Sequence, residues 1–313
     1  MTGAGSRERS GLPVFHPLGV LFFFARHEPY VKDTLEVHKR LSLPTQALDQ
    51  AELRKRFPQV DWGGIEIGLY EPQLGALMAR RAVQTLMREF VLAGGEYRLA
   101  LVQPPGAGTL TSVTTADGAT LRAERFAFAC GPWLPKLLPQ LLGSRIFPTR
   151  QEVFFFAPPA GDQRFQPGQL PGWADFNDGD IFYGFPDLEG RGFKIAHDQH
   201  GPAIDPDLGD RQFSAGALAE VREYMSRRFP AMSGRPVVES RVSVREQLQR
   251  RSAHRSAPRM GKRLAARRRF GPWLQTRSRR RTSGCRSDYR QTRDDRAAFH
   301  AGEQGDLQNR AVH

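Results

Sequence analysis

Three residues within one short stretch have side chains that could take part in catalysis. The stretch GDIFYGFPDLEGRGFKIAH contains Tyr183, Lys194 and His197. A tyrosine hydroxyl can line a polar pocket, a lysine can supply a fixed positive charge, and a histidine can act as a base or a hydrogen-bond donor. The local pattern fits structural roles as well: a strand lysine facing solvent, a half-buried strand tyrosine, and a surface or capping histidine.

The positive charge of the chain is concentrated in one segment. The 313 residues carry a formal net charge of +13, yet residues 244–300 alone hold 17 arginines and one lysine against four acidic residues. The rest of the chain is therefore close to neutral. An arginine-rich segment with interleaved Phe270, Trp273 and Tyr289 is typical of nonspecific nucleic-acid binding, through phosphate neutralisation and base stacking. This is the alternative function that the composition raises.

Cysteine content and hydropathy exclude several protein classes. The two cysteines, Cys130 and Cys285, exclude a disulfide framework and a cysteine-rich zinc site, and they favour a reducing cytoplasm. The longest apolar run, GVLFFFA, is too short to span a bilayer. Arg7 and Arg9 precede it as in a signal peptide, but Pro13 and Pro17 interrupt the approach and no cleavage pattern follows. We therefore expect a cytoplasmic protein without membrane contact.

The hydrophobic periodicity predicts a mixed α/β chain. GVLFFF, QEVFFFAPP and the two halves of GDIFYGFPDLEGRGFKIAH are typical of strands, Asp117-Gly118 predicts a hairpin turn, and the apolar run FAFAC predicts a strand end before a loop and a helix. Four further helices are expected, in VKDTLEVHKRL, in DQAELRKRFP with Asp49 as N-cap, in residues 77–93 before a Gly-Gly stop, and in ALAEVREYMSRRFP. Beyond Ser243 the periodicity stops, which indicates a disordered tail.

An ordered set of fragments carries a family resemblance. FAFACGPWLPKLLP, PTRQEVFFF, DIFYGFPDLEGRGFKIAHDQHGP and PVVESRV together resemble the sarcosine oxidase and N-methyl amino acid oxidase branch of the D-amino-acid-oxidase-like (DAO) flavoproteins, over about residues 12–242. The resemblance implies an FAD-binding Rossmann-like α/β domain, incomplete here, beside a substrate domain with a mainly antiparallel sheet. It also implies a monomer that oxidises a small-molecule amine or N-methyl amino acid with FAD, returns the electrons to molecular oxygen, and binds no specific nucleic acid.

The resemblance assigns catalytic roles to the three residues. Lys194 matches the family lysine whose charge lowers the barrier to the reaction with oxygen, and Tyr183 matches a tyrosine that lines the substrate pocket. His197 is a candidate pocket base, although the family more often has its histidine where this chain has Asp198. No metal site is expected.

Five residues match positions beside the cofactor. Ala129, Cys130, Gly131 and Trp133 lie in the strand-to-loop segment that passes FAD, where small residues let the backbone approach. Val102 matches a backbone contact to adenine. Ser243 occupies the position where several family members attach FAD through a cysteine, so a thioether there is excluded.

Two expected glycine-rich segments are not found in the printed sequence. No GxGxxG turn is present for the pyrophosphate, and the closing GGGSGHGFKHGP-type stretch is missing. Codons for residues 267–282, read one base later, permit that closing stretch, and the same offset gives a family-like sequence for residues 245–264. We therefore interpret residues 244–300 as out of frame rather than as a selected basic arm, and the chain as truncated at its N-terminus.

The resulting domain prediction has five parts. Residues 12–50 and 144–243 form the substrate domain, residues 51–143 are the remnant of the FAD-binding domain, residues 244–300 are arginine-rich and disordered, and residues 301–313 form a family-like tail.

We expect the purified chain to carry little FAD, because the phosphate-binding turn is the main anchor of a dinucleotide. The ratio of flavin absorbance to protein absorbance after purification measures this directly. A stoichiometric flavin spectrum would contradict the expectation.

Overall fold

A mixed eight-stranded sheet organises the part of the chain that the structure, a computed structural model, describes: residues 10–27, 29–106, 108, 110–177 and 180–248. These residues fall in one compact unit, Met1–Ser252. The strands of the sheet are β2 (Val20–Phe24), β3 (Gln46–Asp49), β4 (Ile67–Glu71), β8 (Ile146–Phe156), β9 (Gly172–Asn177), β10 (Asp180–Phe185), β11 (Phe193–His197) and β12 (Val237–Leu248), in the order β12-β8-β11-β10-β9-β2-β4-β3. Within this sheet only β2 and β9 are parallel, which confirms the mainly antiparallel sheet.

Two small antiparallel pairs accompany the large sheet. They are β1 (Phe15–His16) with β5 (Ala76–Leu77), and β6 (Ser112–Thr114) with β7 (Thr120–Arg122). The second pair encloses the predicted Asp117-Gly118 turn. Gly118 has a φ of 87°, a left-handed conformation that glycine adopts without strain. The hairpin prediction is therefore confirmed.

The helices follow the predicted amphipathic segments closely. They are α1 (Pro29–Arg40), α2 (Gln50–Arg56), α3 (Ala79–Leu92), α4 (Leu134–Leu137), α5 (Pro139–Leu142) and α6 (Ala215–Arg228). Asp49 caps α2 in a capping box: its carboxylate accepts from the Glu52 backbone N–H at 2.8 Å, and the Glu52 carboxylate accepts from the Asp49 N–H at 3.0 Å. Gly94, with a φ of 91°, follows the end of α3. Among the described residues, no helix is both long and apolar enough to cross a bilayer.

The two faces of the sheet bury different side chains. On one face, Phe193 and Ile195 of β11 are fully buried against α6, in the main core that also contains Trp173 and Tyr224. On the other face, α1 covers β2 and β4 with a smaller cluster, in which Val31 packs with Phe24, Ile67 and Leu69. Because alternate residues of a strand point to opposite faces, each central strand contributes to both sides.

Two sequence-based expectations differ from the structure. Residues 126–130, the FAFAC run, form no strand, since none of the strands in the described part of the chain pairs with them. Regular structure also continues past Ser243: β12 extends to Leu248 and pairs with β8 along its whole length. Backbone pairing with β8 sustains this strand even though its side chains lose their apolar pattern.

The predicted domain boundaries remain predictions. Strand β4 lies in the range assigned to the FAD-binding remnant, yet it pairs with β2 in the large sheet. Residues 249–313, which include most of the arginine-rich segment and the tail, lie outside the described residues.

A buried ion pair ties β9 to α6 through the main core. Arg228 Nε donates to Asp175 Oδ2 at 3.2 Å, and the Tyr224 hydroxyl donates to the same oxygen at 2.8 Å. Arg228 Nη1 also donates to the backbone carbonyls of Asp61 and Gly63, at 2.6 and 3.1 Å. Burial raises the pKa of Asp175 while the Arg228 charge opposes the rise. Removing one partner therefore leaves the other charge desolvated and without its counter-ion.

We expect Asp175→Ala to lower the free energy of unfolding by about 3–5 kcal/mol, because it leaves the Arg228 guanidinium buried without a counter-ion. Tyr224→Phe, which removes one hydrogen bond to the same carboxylate, should cost roughly 1.5–3 kcal/mol. Urea unfolding followed by circular dichroism measures both. Equal losses in the two variants would contradict the ion-pair explanation.

Candidate functional site

Lys194 and Tyr183 lie together on the sheet face opposite the main core. The β10–β11 register pairs Tyr183 with Ala196 and Phe185 with Lys194, so these side chains share one face. The Lys194 amine lies 5.3 Å from the centroid of the Tyr183 ring and 5.1 Å from that of Phe185. Both distances are within the range of cation–π attraction. The structure thus brings together two of the three predicted catalytic residues.

The electrostatic surroundings lower the pKa of Lys194 to about 8. Burial of the Lys194 amine is the main cause, and the positive charges of Arg191 and Arg241 lower the pKa further. Both guanidinium groups lie near the ring of Phe155, at 5.1 and 5.8 Å from its centroid, and Phe155 is the residue opposite Lys194 on β8. The amine is therefore mostly protonated at pH 7 and loses its charge within the next two pH units.

Tyr183 is buried between two small residues. Its cross-strand neighbours are Ala174 on β9 and Ala196 on β11. Because alanine side chains are short, the surface of the sheet on both sides of the Tyr183 ring is lower than the ring itself. The pKa of Tyr183 is raised, mainly by burial and further by the Asp198 carboxylate, with Arg245 opposing. The phenol therefore keeps its proton at neutral pH and can donate a hydrogen bond.

His197 lies on β11, the strand of Lys194, but on the opposite face of the sheet. Its ring stacks on Phe182 at a centroid distance of 4.2 Å, and its Nδ1 lies 3.3 Å from Glu220 Oε2 on α6. There it lines a cleft of about 270 Å³ together with Ser214 and Gln199. The alternation of strand side chains explains the separation, because positions 194 and 197 differ by an odd number of residues.

The segment predicted to pass the cofactor forms a short turn leading into α4. Gly131 has a φ of 50°, and a Cβ atom on it would come within 2.8 Å of the Glu246 carboxylate. Ala129 and Cys130 are exposed, and Trp133 Nε1 donates to Asp207 Oδ1 at 2.6 Å. Ala129 and Cys130 are thus accessible to solvent, whereas Gly131 is half-buried beside Glu246. Val102 lies in a separate loop, bridged to Thr115.

Sequence reasoning missed several residues around Lys194. Phe155, Phe185, Arg191 and Arg241 lie around the lysine, but they are far apart in the chain and only the strand register brings them together. A period-2 pattern shows that Phe185 shares a face with Tyr183. It does not show that β8 and β12 continue that face beyond β11.

The residues present fit one part of an FAD site. The low face around Tyr183, edged by aromatic rings and a cationic amine, suits a planar ring system, and the exposed residues Ala129 and Cys130 are accessible to a cofactor. Among the residues that the structure describes, no glycine-rich GxGxxG turn stands before a helix to receive the phosphates. The same part of the chain shows no cluster of three or more side chains able to hold a metal ion.

Comparison with known protein families decides the affiliation of the chain. The family described as FAD dependent oxidoreductase (DAO) matches residues 5–277. The chain belongs to the DAO family. The match extends on both sides of the range 12–242 expected from the motifs, and it includes the large sheet that carries Lys194 and Tyr183.

Relatives among characterised proteins lie within the DAO family at modest identity. The chain is 29% identical over 228 residues to monomeric sarcosine oxidase of Arthrobacter sp. (strain TE1826), covering 71% of this chain and 58% of that enzyme. It is 25% identical over 184 residues to N-methyl-L-tryptophan oxidase of Yersinia pestis (strain Pestoides F), covering 57% and 47%. The chain therefore spans less than two thirds of the length of these relatives.

The fold is shared with solved structures of the DAO type. Glycine oxidase from Bacillus cereus ATCC 14579 superposes with a TM-score of 0.61 at 16% identity, covering 79% of this chain and 65% of that one. This likeness confirms the predicted fold class.

We expect Lys194 to titrate near pH 8, well below an ordinary lysine, because burial and two arginines disfavour its charged form. Arg241→Gln should raise this pKa by removing one repelling charge. Dimethylation with ¹³C followed by NMR titration reports each lysine separately. Arg164→Gln, which removes an arginine paired with Asp162, is the matched control. A Lys194 resonance that titrates near 10.5 would contradict the assignment.

Proposed function

We propose that this chain contributes the substrate-facing and oxygen-facing wall of an FAD-dependent amine oxidase. The substrate is an N-methyl amino acid or a related small amine. The observation that most directly supports this proposal is that the Lys194 amine lies beside Tyr183 and Phe185 on a low face of the sheet.

Two relatives support the substrate class. Their names specify sarcosine and N-methyl-L-tryptophan, and they align with this chain over 228 and 184 residues. We further propose molecular oxygen as the electron acceptor, a monomeric protein and a cytoplasmic location. The name of the Arthrobacter relative includes the word monomeric, which supports the proposed monomer.

Lys194 acts in this proposal as a fixed positive charge. A cation held in a partly dry site stabilises negative charge developing on reduced oxygen more strongly than it would in water. The neighbouring aromatic rings exclude water from one side of the amine. Since the pKa of Lys194 is about 8, the charge is present at neutral pH and is lost as the pH rises above 8.

Tyr183 orients the substrate in the same site. Its buried phenol remains protonated, so it donates a hydrogen bond to an acceptor on the ligand. His197 contacts α6 on the other face, so the proposal assigns it no proton transfer.

FAD, when bound, supplies the two-electron acceptor for oxidation of the C–N bond. The residues that would hold it are the aromatic face at Tyr183 and Phe185 and the backbone of residues 129–131, with Val102 proposed for the adenine end. The small, exposed Ala129 allows the close approach that a dinucleotide needs, whereas the Glu246 carboxylate lies beside Gly131.

The alternative function, nonspecific nucleic-acid binding through residues 244–300, receives no support. The family match and the relatives are oxidoreductases. Only residues 244–248 of that segment are described, and they belong to β12.

The test is an anaerobic flavin reduction followed by admission of oxygen. With FAD added in large excess over the protein, sarcosine should bleach the flavin absorbance of the bound fraction. Lys194→Met should retain the bleaching, but it should slow reoxidation by roughly 100-fold because the stabilising charge is gone. In the unmodified chain, reoxidation should slow as the pH rises through about 8.

Lys136→Met is the control for loss of a lysine outside the site. Lys136 pairs with Asp205 at 2.7 Å and is half exposed. The absence of bleaching by any N-methyl amino acid at saturating FAD would contradict the proposed oxidation. Equal reoxidation rates in the Lys194 and Lys136 variants would contradict the role of Lys194.

A further inference from the structure

The turn between β10 and β11 contains a glutamate in a backbone conformation that favours glycine. Glu189 has a φ of 58°, and the nearby Gly190 and Gly192 have φ values of 71° and 96°. A residue with a Cβ atom is uncommon in this left-handed region, and it persists there where the surrounding structure holds it. Glycine would adopt the same conformation without strain. The contacts of the Glu189 side chain must therefore offset a cost that glycine would not have.

The Glu189 carboxylate joins this turn to two segments that are distant in the chain. Arg81 of α3 donates to both carboxylate oxygens, from Nη1 and Nη2, each at 2.8 Å. His16 Nε2 of β1 lies 3.0 Å from Oε1, and Arg81 also donates to the Pro13 carbonyl. The side chains of Glu189, Arg81 and His16, here called the clamp, are only 28%, 20% and 22% exposed. A two-point contact between arginine and carboxylate fixes orientation as well as distance.

The clamp keeps its ion pair over the pH range in which Lys194 titrates. The hydrogen bonds from Arg81 lower the pKa of Glu189 to about 2, and the contact with His16 acts in the same direction. The same bonds raise the pKa of Arg81. Tyr183, the titratable group that faces Lys194 from β10, keeps its proton because burial raises its pKa. The state of the clamp therefore does not change when the lysine loses its charge.

Arg191 connects the turn to Lys194. Its guanidinium lies 5.1 Å from the centroid of the Phe155 ring, and its Nη2 donates to Glu239 Oε2 of β12 at 3.4 Å. Of the two arginine charges that act on the lysine, Arg191 has the larger effect and Arg241 of β12 the smaller. The charge of Lys194 thus depends on where this turn places one guanidinium.

The backbone around Arg191 has little stiffness of its own. Gly190 and Gly192 flank the arginine, and glycine is the residue with the most conformational freedom. The Asp187 carboxylate accepts from the Gly192 N–H at 2.7 Å and closes one side of the turn. Glu189 anchors the other side to α3 and β1, outside the turn itself. Without that anchor, the segment that carries Arg191 can move relative to the sheet.

We propose that Glu189 is a positioning residue whose clamp holds the β10–β11 turn so that Arg191 stays beside Lys194. The clamp thereby sets the pH at which the lysine loses its charge. This inference deepens the proposed function and rests on it for the importance of that charge. The positioning itself involves neither flavin nor substrate.

The experiment measures the pKa of Lys194 in the purified full-length chain, by ¹³C-dimethylation and NMR titration. Glu189→Gly removes the carboxylate and suits a left-handed backbone. Direct electrostatics alone would lower the pKa of Lys194 in this variant, because an anion is lost. Loss of positioning should instead raise it, by roughly half a unit, because Arg191 moves away. The direction of the shift therefore distinguishes the two effects. Arg191→Gln sets the upper limit of the rise.

A double-mutant cycle identifies Arg191 as the residue through which Glu189 acts. In an Arg191→Gln background, Glu189→Gly should no longer raise the pKa of Lys194. Arg81→Gln breaks the clamp from α3 and should also raise the pKa, which shows that the effect does not depend on the introduced glycine. A pKa that is unchanged or lower in Glu189→Gly, or a rise that persists in the Arg191→Gln background, would overturn the proposal.

Asp162→Asn is the matched control for loss of a two-point ion pair. The Asp162 carboxylate accepts from Arg164 Nε at 2.9 Å and from its Nη2 at 2.7 Å. This variant should leave the pKa of Lys194 unchanged. A rise as large as that of Glu189→Gly would show a general effect of destabilisation and would contradict the positioning role.

The outcomes also separate this proposal from the proposed oxidation. A raised pKa of Lys194 in Glu189→Gly, with no flavin bleaching by any N-methyl amino acid, would support the clamp and contradict the oxidation. Bleaching together with an unchanged pKa in the same variant would support the oxidation and overturn the clamp.

Discussion

The antiparallel pairing of β10 with β11 determines which side chains share a face of the sheet. A register that pairs Tyr183 with Ala196 places Lys194 opposite Phe185 on the same side, and it sends Phe193, Ile195 and His197 to the other. A slip of one residue would bury the lysine in the main core and expose the phenylalanine. The large core on the α6 side resists this slip, because it would have to exchange fully buried apolar side chains for a charged amine.

The same strand register places the groups that stabilise the fold on one face of the sheet and the candidate catalytic groups on the other. One face carries the core and the buried Asp175–Arg228 pair, both of which hold α6 against the sheet. The other face carries small residues around Tyr183, the partly buried Lys194, and the partly exposed Asp198–Arg245 ion pair. Because each central strand serves both faces, the rigid packing behind the sheet fixes the positions of the groups in front of it.

The sequence predicted much of the fold, because its local signals are strong. The capping box at Asp49, the Asp117-Gly118 turn and the continuous apolar run of β2 each specify structure within a few residues. The missed features depend on contacts distant in the chain. The FAFAC run has the composition of a strand but lacks a partner, whereas residues 244–248 have a polar composition and are held in a strand by β8. The grouping of Lys194 with Arg241 depends on register across three strands, which no local pattern encodes.

The central claim is that the Lys194 face of the sheet is the surface that meets the flavin. Reductive methylation of the chain at increasing FAD concentration, with peptide mass spectrometry, tests it directly. FAD should slow the modification of Lys194 and leave that of Lys55 unchanged, since Lys55 is exposed on α2, away from the residues proposed to hold FAD. Modification of Lys194 at the same rate with and without FAD would contradict the claim.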